Sequence, residues 1–167
     1  MNFQIKSAIA ENVPQIIEMI REFAAFEKLS EFCEVTAESL TDAMFGENSC
    51  VEGLLAFADE QSIGYALFYE NFASFRGQRG LHLEDLYVKP EFRGRKIGEA
   101  FLGKLAAIAK SRNFQRIDFL VLDWNEPAVK FYEKLGAKRD ESERHFRFVG
   151  EAFENLSESE AAKKLTT

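Results

Sequence analysis

Proline, cysteine, histidine and tryptophan are all scarce in this chain: three, two, two and one in 167 residues. Cys33, Cys50, His82 and His145 do not assemble a recognisable zinc pattern, so no metal is expected. A Cys33–Cys50 disulfide is conceivable, but a cytosolic chain of this size neither needs nor usually keeps one, and both read as reduced thiols, at least one of them buried. Long apolar runs are missing too. Runs such as Leu54–Ala58 and Leu105–Ala109 fall far short of the ~20 residues of a membrane span. The first ten residues lack a basic stretch followed by an apolar block, so no signal peptide is read and a cytoplasmic location is expected. Basic residues are also in deficit, 21 against 28 acidic, for a net charge of −7. That balance argues against a nucleic-acid partner, whose phosphates need a basic surface, and suits a cationic one.

What is present is an ordinary globular composition, 46% apolar and 29% charged, of a length that fits one domain. The expected domain covers residues 1–156, and 157–167 form a tail, either disordered or a short helix opened by a Ser157–Glu160 capping-box pair. Seventeen phenylalanines supply a large aromatic core without naming a ligand.

Periodicity places the elements. Residues 2–8 alternate as a strand. Asn12 and Pro14 open a helix to about Glu27, with Asn12 as its cap. Thr36 caps a second helix carrying Leu40 and Met44, which Gly46 ends. The runs 51–58 and 62–70 flank Asp59-Glu60-Gln61 as a hairpin, followed by a loop at 71–80. A strand over 81–88, a helix over 98–112 and a strand over 117–122 come next. Asn125 caps a helix to Leu135, Gly136 stops it, and 144–149 form a last strand. Alternating strands and helices predict an α/β fold with a mixed sheet.

The chemistry concentrates where the 81–88 strand gives way to the 98–112 helix, at Arg93-Gly94-Arg95-Lys96-Ile97-Gly98. A helix start offers unpaired N–H groups and partial positive charge, glycines admit close approach of a phosphate, and the local charge is basic. The spacing matches neither a Walker loop nor the dinucleotide fingerprint.

This loop resembles the acetyl-CoA loop of the GNAT superfamily of N-acetyltransferases. The preceding Leu83–Val88 resembles the superfamily's strand ending apolar-Glu-Asp-apolar-aromatic-Val, and Trp124-Asn125-Glu126-Pro127, Phe131-Tyr132 and Leu135-Gly136-Ala137 resemble its second CoA-side motif. The combination is most similar to the diamine (spermidine/spermine, thialysine) acetyltransferase branch, including Phe26-Glu27 near the first helix end. The resemblance implies a splayed mixed sheet flanked by helices and a cytoplasmic homodimer. It implies acetyl transfer from acetyl-CoA, by direct attack, to a small primary amine such as a polyamine or a lysine-like analogue. It assigns Tyr132 as proton donor to the sulfur and Glu84 as the acceptor-side base. Acetyl-CoA contacts are implied at Leu86, Tyr87, Val88, Arg93, Gly94, Arg95, Lys96, Ile97, Gly98, Glu99, Asn125, Pro127 and Ala128, and amine contacts at Phe26, Glu27, Phe75 and Glu84. The loop departs from the pattern at Lys96, which stands for its middle glycine.

Regular pleating turns adjacent Glu84 and Asp85 to opposite faces. One of them is then expected in the cleft and the other away from it, unless a bulge re-aims them; the resemblance favours Glu84 on the cleft side, and Asp85 is read as a structural carboxylate holding the basic loop or the next turn. Arg144 and Arg147 place basic charge where a polyamine would be repelled, which favours an amine that also carries a carboxylate. A peptide or protein amine acceptor and a non-enzymatic acyl-CoA sensor are the competing readings.

Overall fold

The computed structural model describes residues 2–142 and 144–159. Contacts divide the chain after Asn125 into two compact units.

The first unit is built on a five-stranded sheet ordered β1-β2-β3-β4-β5. Its strands are β1 (Gln4–Ser7), β2 (Glu52–Ala58), β3 (Gln61–Ala73), β4 (Gln78–Val88) and β5 (Ile117–Phe119). Neighbours run antiparallel except β4 and β5, which are parallel. That arrangement follows from the connections: short turns join β2–β3 and β3–β4, whereas a helix crosses over between β4 and β5. Asp59 takes φ 53° in the β2–β3 turn, where a short polar side chain tolerates the left-handed region.

Helices α1 (Val13–Phe26), α2 (Ala37–Phe45) and α3 (Ile97–Ser111) complete the unit. Val13, Ile16, Ile17 and Met19 of α1 and Leu40 and Met44 of α2 pack with Leu55, Tyr65, Leu67 and Tyr87 on one face of the sheet. Ile97, Phe101, Leu105 and Ala109 of α3 pack with Leu54, Ala66, Phe68, Leu81 and Leu83 on the other. Thr36 caps α2 as expected, accepting from Ser39 N at 3.1 Å. Asn12 does not cap α1; its Oδ1 accepts from Ile9 N instead and closes the 3-10 turn that precedes the helix.

Three more expectations need correction. Residues 71–80 are mostly strand rather than loop: β3 and β4 pair as far as Ala73 and Gln78, leaving only a 3-10 turn over Ser74–Arg76. Neither cysteine is buried; Cys33 is half-buried, Cys50 exposed, and both are free. Residues 144–149 form no strand. Alternation makes a strand only where another edge receives its hydrogen bonds, and Phe146, Phe148 and Val149 stay exposed.

The second unit carries α4 (Glu126–Lys134) and α5 (Glu151–Ser157). Gly136 follows α4 with φ 93°, the left-handed stop expected after a helix. Ser157 ends α5 rather than opening a helix, its hydroxyl donating to Glu154 O; Glu160 lies outside the described residues.

Candidate active site

The sheet is interrupted where the adjacent carboxylates sit. Leu67 pairs with Asp85 and Phe68 with Leu83, so Glu84 is one residue too many on β4. This bulge breaks the two-residue alternation. Leu83 and Leu86 consequently both pack on the α3 face, while Asp85 turns to the α1 face, where it accepts a 3.0 Å hydrogen bond from the Tyr65 hydroxyl. Glu84 lies on that side as well, its Oε2 3.8 Å from His82 Nε2, and His82 stacks on Tyr69 at 4.9 Å. Regular pleating would turn the two carboxylates opposite ways; the bulge is the exception to it and re-aims Asp85 to the side of Glu84. Asp85 does not hold the basic loop: its partner is Tyr65.

The environments of the carboxylates differ. Burial raises the Asp85 pKa to about 6, opposed by the Tyr65 hydrogen bond and reinforced by the charge of Glu84. Glu27, at the end of α1, is also raised, by burial first and then by Asp85. Glu84 is exposed and open to water. The result is a half-buried acidic pair, Glu27 and Asp85, beside one solvated carboxylate. A cation can be held by the first two and lose a proton to the third.

The edge of β4 supplies the complementary half. Pairing with β5 covers only Leu81–Leu83, so from Glu84 to Val88 β5 leaves that edge open. Lys89 N donates to Ile63 O at 3.0 Å, which makes the adjacent Val88–Gly64 pair a non-hydrogen-bonded one. Alternation gives Leu86–Ala66 the same character, so the N–H groups of Leu86 and Val88 point off the sheet at the open edge.

Next to this edge begins α3. Gly94 and Lys96 both take left-handed backbone, with φ 74° and 63°. Together they turn the chain sharply into the helix, whose first N–H groups at Ile97, Gly98 and Glu99 have no intrahelical acceptor. Lys96, standing where the motif has glycine, pays the Cβ penalty of that region, about 1 kcal/mol. It is the residue before the helix rather than part of it.

The two arginine side chains of the loop are already engaged. Arg93 Nε donates to Val88 O at 2.9 Å, and its guanidinium lies 4.8 Å from the Phe26 ring and 5.7 Å from Tyr87. Arg95 sits over Phe92. Phe26 in turn lies 6.0 Å from Trp124, so Arg93 links the 93–99 loop to the end of α1. Tyr87 and Lys89 tie the same strand to α1 through Glu22, at 3.0 and 3.1 Å. Burial and the Glu22 carboxylate push the Tyr87 hydroxyl up to about 12.

Phe26, Glu27 and Glu84 thus gather around one end of the sheet with Leu86–Val88 and the 93–99 loop. Phe75 does not join them. It is fully exposed at the β3–β4 tip, and β4 runs about 20 Å from Gln78 to Glu84 at the usual rise of a strand. Asn125, a buried polar residue, closes the first unit. Pro127, Ala128 and Tyr132 belong to α4 in the second, where the Tyr132 ring packs edge-on against Phe131 at 5.1 Å. Tyr65, Glu22 and the half-burial of Asp85 were missed from sequence. A tyrosine in an apolar strand and a glutamate on an amphipathic helix carry no distinguishing pattern, and a bulge has no signature without its partner strand.

Comparison with known proteins shows the family. The family model described as "Acetyltransferase (GNAT) family" matches residues 16–137. A thialysine N-epsilon-acetyltransferase from Sus scrofa is 38% identical over 164 residues, covering 92% of this chain and 96% of its own. The Caenorhabditis elegans protein of that name is 37% identical over 134 residues, covering 80% and 82%. Among solved structures, an integron cassette protein from V. cholerae superposes with a TM-score of 0.78 at 26% identity, covering 95% of this chain and 99% of its own. The chain is an acetyltransferase and belongs to the GNAT family.

Proposed function

We propose that this enzyme transfers an acetyl group from acetyl-CoA to a small primary amine by direct attack, the amine being lysine-like or a polyamine. The observation that carries the reading is the juxtaposition of the Glu27–Asp85 pair and Glu84 with the open β4 edge and the α3 start. An acidic, half-buried pocket selects an alkylammonium, and a row of free N–H groups beside it selects an amide-rich, phosphate-bearing donor.

Acetyl-CoA supplies the activated acetyl thioester. The N–H groups of Leu86 and Val88 hold the pantetheine and the thioester oxygen, with Tyr87 beside them. The loop Arg93, Gly94, Arg95, Lys96 and the first turn Ile97, Gly98, Glu99 take the pyrophosphate, and Asn125, Pro127 and Ala128 give further donor contacts. Glu27 and Asp85 hold the acceptor, walled by Phe26. Since an alkylammonium has a pKa of roughly 10, it must lose a proton before it attacks; Glu84, being solvated, takes it through water. As the new C–N bond forms the nitrogen loses its second proton to water, and as the C–S bond breaks the Tyr132 hydroxyl gives its proton to the departing thiolate and regains one from water.

Relatives named for thialysine acetylation support the small-amine acceptor over a peptide. A homodimer fits the exposed Phe146, Phe148 and Val149, a patch that a second copy would cover, and a cytoplasmic location fits the supply of acetyl-CoA. Incubation with acetyl-CoA and a panel of polyamines, lysine, thialysine and an N-terminal peptide, following free thiol, tests the reading. Turnover with the small amines is expected, and turnover with the peptide alone would overturn it.

A further inference from the structure

One row of side chains beyond Asp85, on the same sheet face, lies a polar group that the acetyl-transfer reading leaves unused. Tyr69 of β3, His82 of β4 and Asp118 of β5 are in register across the sheet. Asn71 and Gly80 pair in the following row, and Arg116 precedes β5 beside them. A Cβ on Gly80 would meet Arg116 Cγ at 2.4 Å and Asn71 Oδ1 at 2.8 Å. The glycine therefore lets the Arg116 stem lie down across the strand.

Three donors converge on one oxygen of Asp118. Arg116 Nε donates to Asp118 Oδ2 at 2.7 Å, Arg116 Nη2 donates to the same atom, and Asn71 Nδ2 does so at 2.8 Å. Among the described residues, Asp118 Oδ1 and Arg116 Nη1 make no hydrogen bond. The two side chains are about one-third exposed, at 35% and 30%. Arginine and carboxylate frequently pair through both oxygens in a fork, whereas Arg116 and Asp118 meet through one oxygen alone. This pair instead presents a free anion oxygen and a free cation donor side by side.

We propose that Arg116 and Asp118 form a subsite for the α-amino-acid head group of a lysine-like acceptor, Arg116 Nη1 donating to its carboxylate and Asp118 Oδ1 accepting from its α-ammonium. The proposal deepens the acetyl-transfer reading and rests on it. Spacing supports it: the Leu67–Asp85 and Tyr69–His82 rows are two β3 residues apart, about 6.6 Å, and an extended four-carbon side chain spans about 6 Å. An acceptor whose terminal amine lies at Glu27, Asp85 and Glu84 thus brings its head group level with Asp118. The stacked Tyr69–His82 pair forms the floor between. A diamine of the same length has no carboxylate for Arg116 and sets its distal ammonium beside a like charge.

The test compares S-(2-aminoethyl)-L-cysteine with its decarboxylated diamine. The value of kcat/KM for each is measured by thiol release with the wild type, Arg116→Gln, Arg116→Lys and Asp118→Asn. Acetyl-CoA binding by calorimetry reports whether each variant is folded. The wild type is expected to prefer the amino acid by at least about tenfold, a difference of about 1.4 kcal/mol. Arg116→Gln should abolish that preference through a higher KM for the amino acid, Arg116→Lys should keep part of it, and Asp118→Asn should also raise that KM. Equal loss on both acceptors in Arg116→Gln would show a structural ion pair and overturn the proposal. The wild-type ratio decides even if every variant misfolds, because a diamine used as well as the amino acid overturns it alone. Failure of the underlying reading looks different: no thiol release from the wild type with any amine.

Discussion

The Tyr65 hydroxyl donates to Asp85 Oδ2 at 3.0 Å from the neighbouring strand, and Tyr65 is itself fully buried. The hydrogen bond stabilises the carboxylate form, yet burial outweighs it and the Asp85 pKa stands at about 6. The native state therefore binds this proton more tightly than the unfolded chain, whose aspartate titrates near 3.9. The associated stability is fully present below pH ~4 and is lost as pH rises through about 6, an effect of about 2–3 kcal/mol. Urea unfolding of wild type and Asp85→Asn at pH 4 and pH 7.5 measures it. The variant should gain on the wild type as pH rises, whereas an equal difference at both pH values would contradict the burial argument.

The two adjacent carboxylates should separate kinetically. Glu84→Gln removes the proposed base and should lower kcat by ~10²-fold. Asp85→Asn removes part of the proposed ammonium site and should mainly raise the amine KM. The activity of the wild type should rise towards alkaline pH, because neutral amine is the reacting form. A larger fall in kcat for Asp85→Asn than for Glu84→Gln, with KM unchanged, would exchange the two roles.

These carboxylates show where sequence reasoning stopped. The 81–88 strand, the basic loop and the α3 stripe of Phe101 and Leu105 were legible because periodicity and a helix start are local patterns. Whether a bulge interrupts the strand was not, because a bulge exists only in the pairing of β4 with β3: strict alternation turns Asp85 to the face opposite Glu84. Residues 144–149 failed for the same reason, an alternating pattern being insufficient without a receiving edge. Arg93 was legible as a charge but not as a contact, since its position over Phe26 depends on where α1 ends.

Lys96 carries a left-handed strain, φ 63°, that glycine would not. Lys96→Gly should raise stability by about 0.5–1 kcal/mol, the relief of the Cβ clash less the added freedom of the unfolded chain. Urea midpoints at constant m-value measure it; a lower midpoint would mean that the lysine side chain holds the turn.

Donor binding should depend on backbone shape more than on any one loop side chain. Gly94 has φ 74°, so Gly94→Asp strains the turn and sets a negative charge against phosphate. It should abolish acetyl-CoA binding by calorimetry, as should Gly98→Asp at the helix start. Arg93→Ala should weaken that binding and its salt dependence, and should also loosen Phe26. Unaltered binding in Gly94→Asp would remove the loop from the donor site.

Tyr132→Phe should keep the fold and acetyl-CoA binding while turnover drops ~10²-fold, if its hydroxyl protonates the leaving thiolate. Turnover equal to wild type would leave Tyr132 as a packing partner of Phe131.

The central claim, acetyl transfer to a small amine at the Glu27–Asp85–Glu84 pocket, is tested most directly by one measurement: thiol release from acetyl-CoA by wild type and Glu84→Gln with thialysine as acceptor. The account predicts acceptor-dependent release by the wild type and a ~10²-fold lower rate in the variant, with acetyl-CoA binding intact. Equal rates in the two proteins, or release that does not depend on the amine, would contradict it.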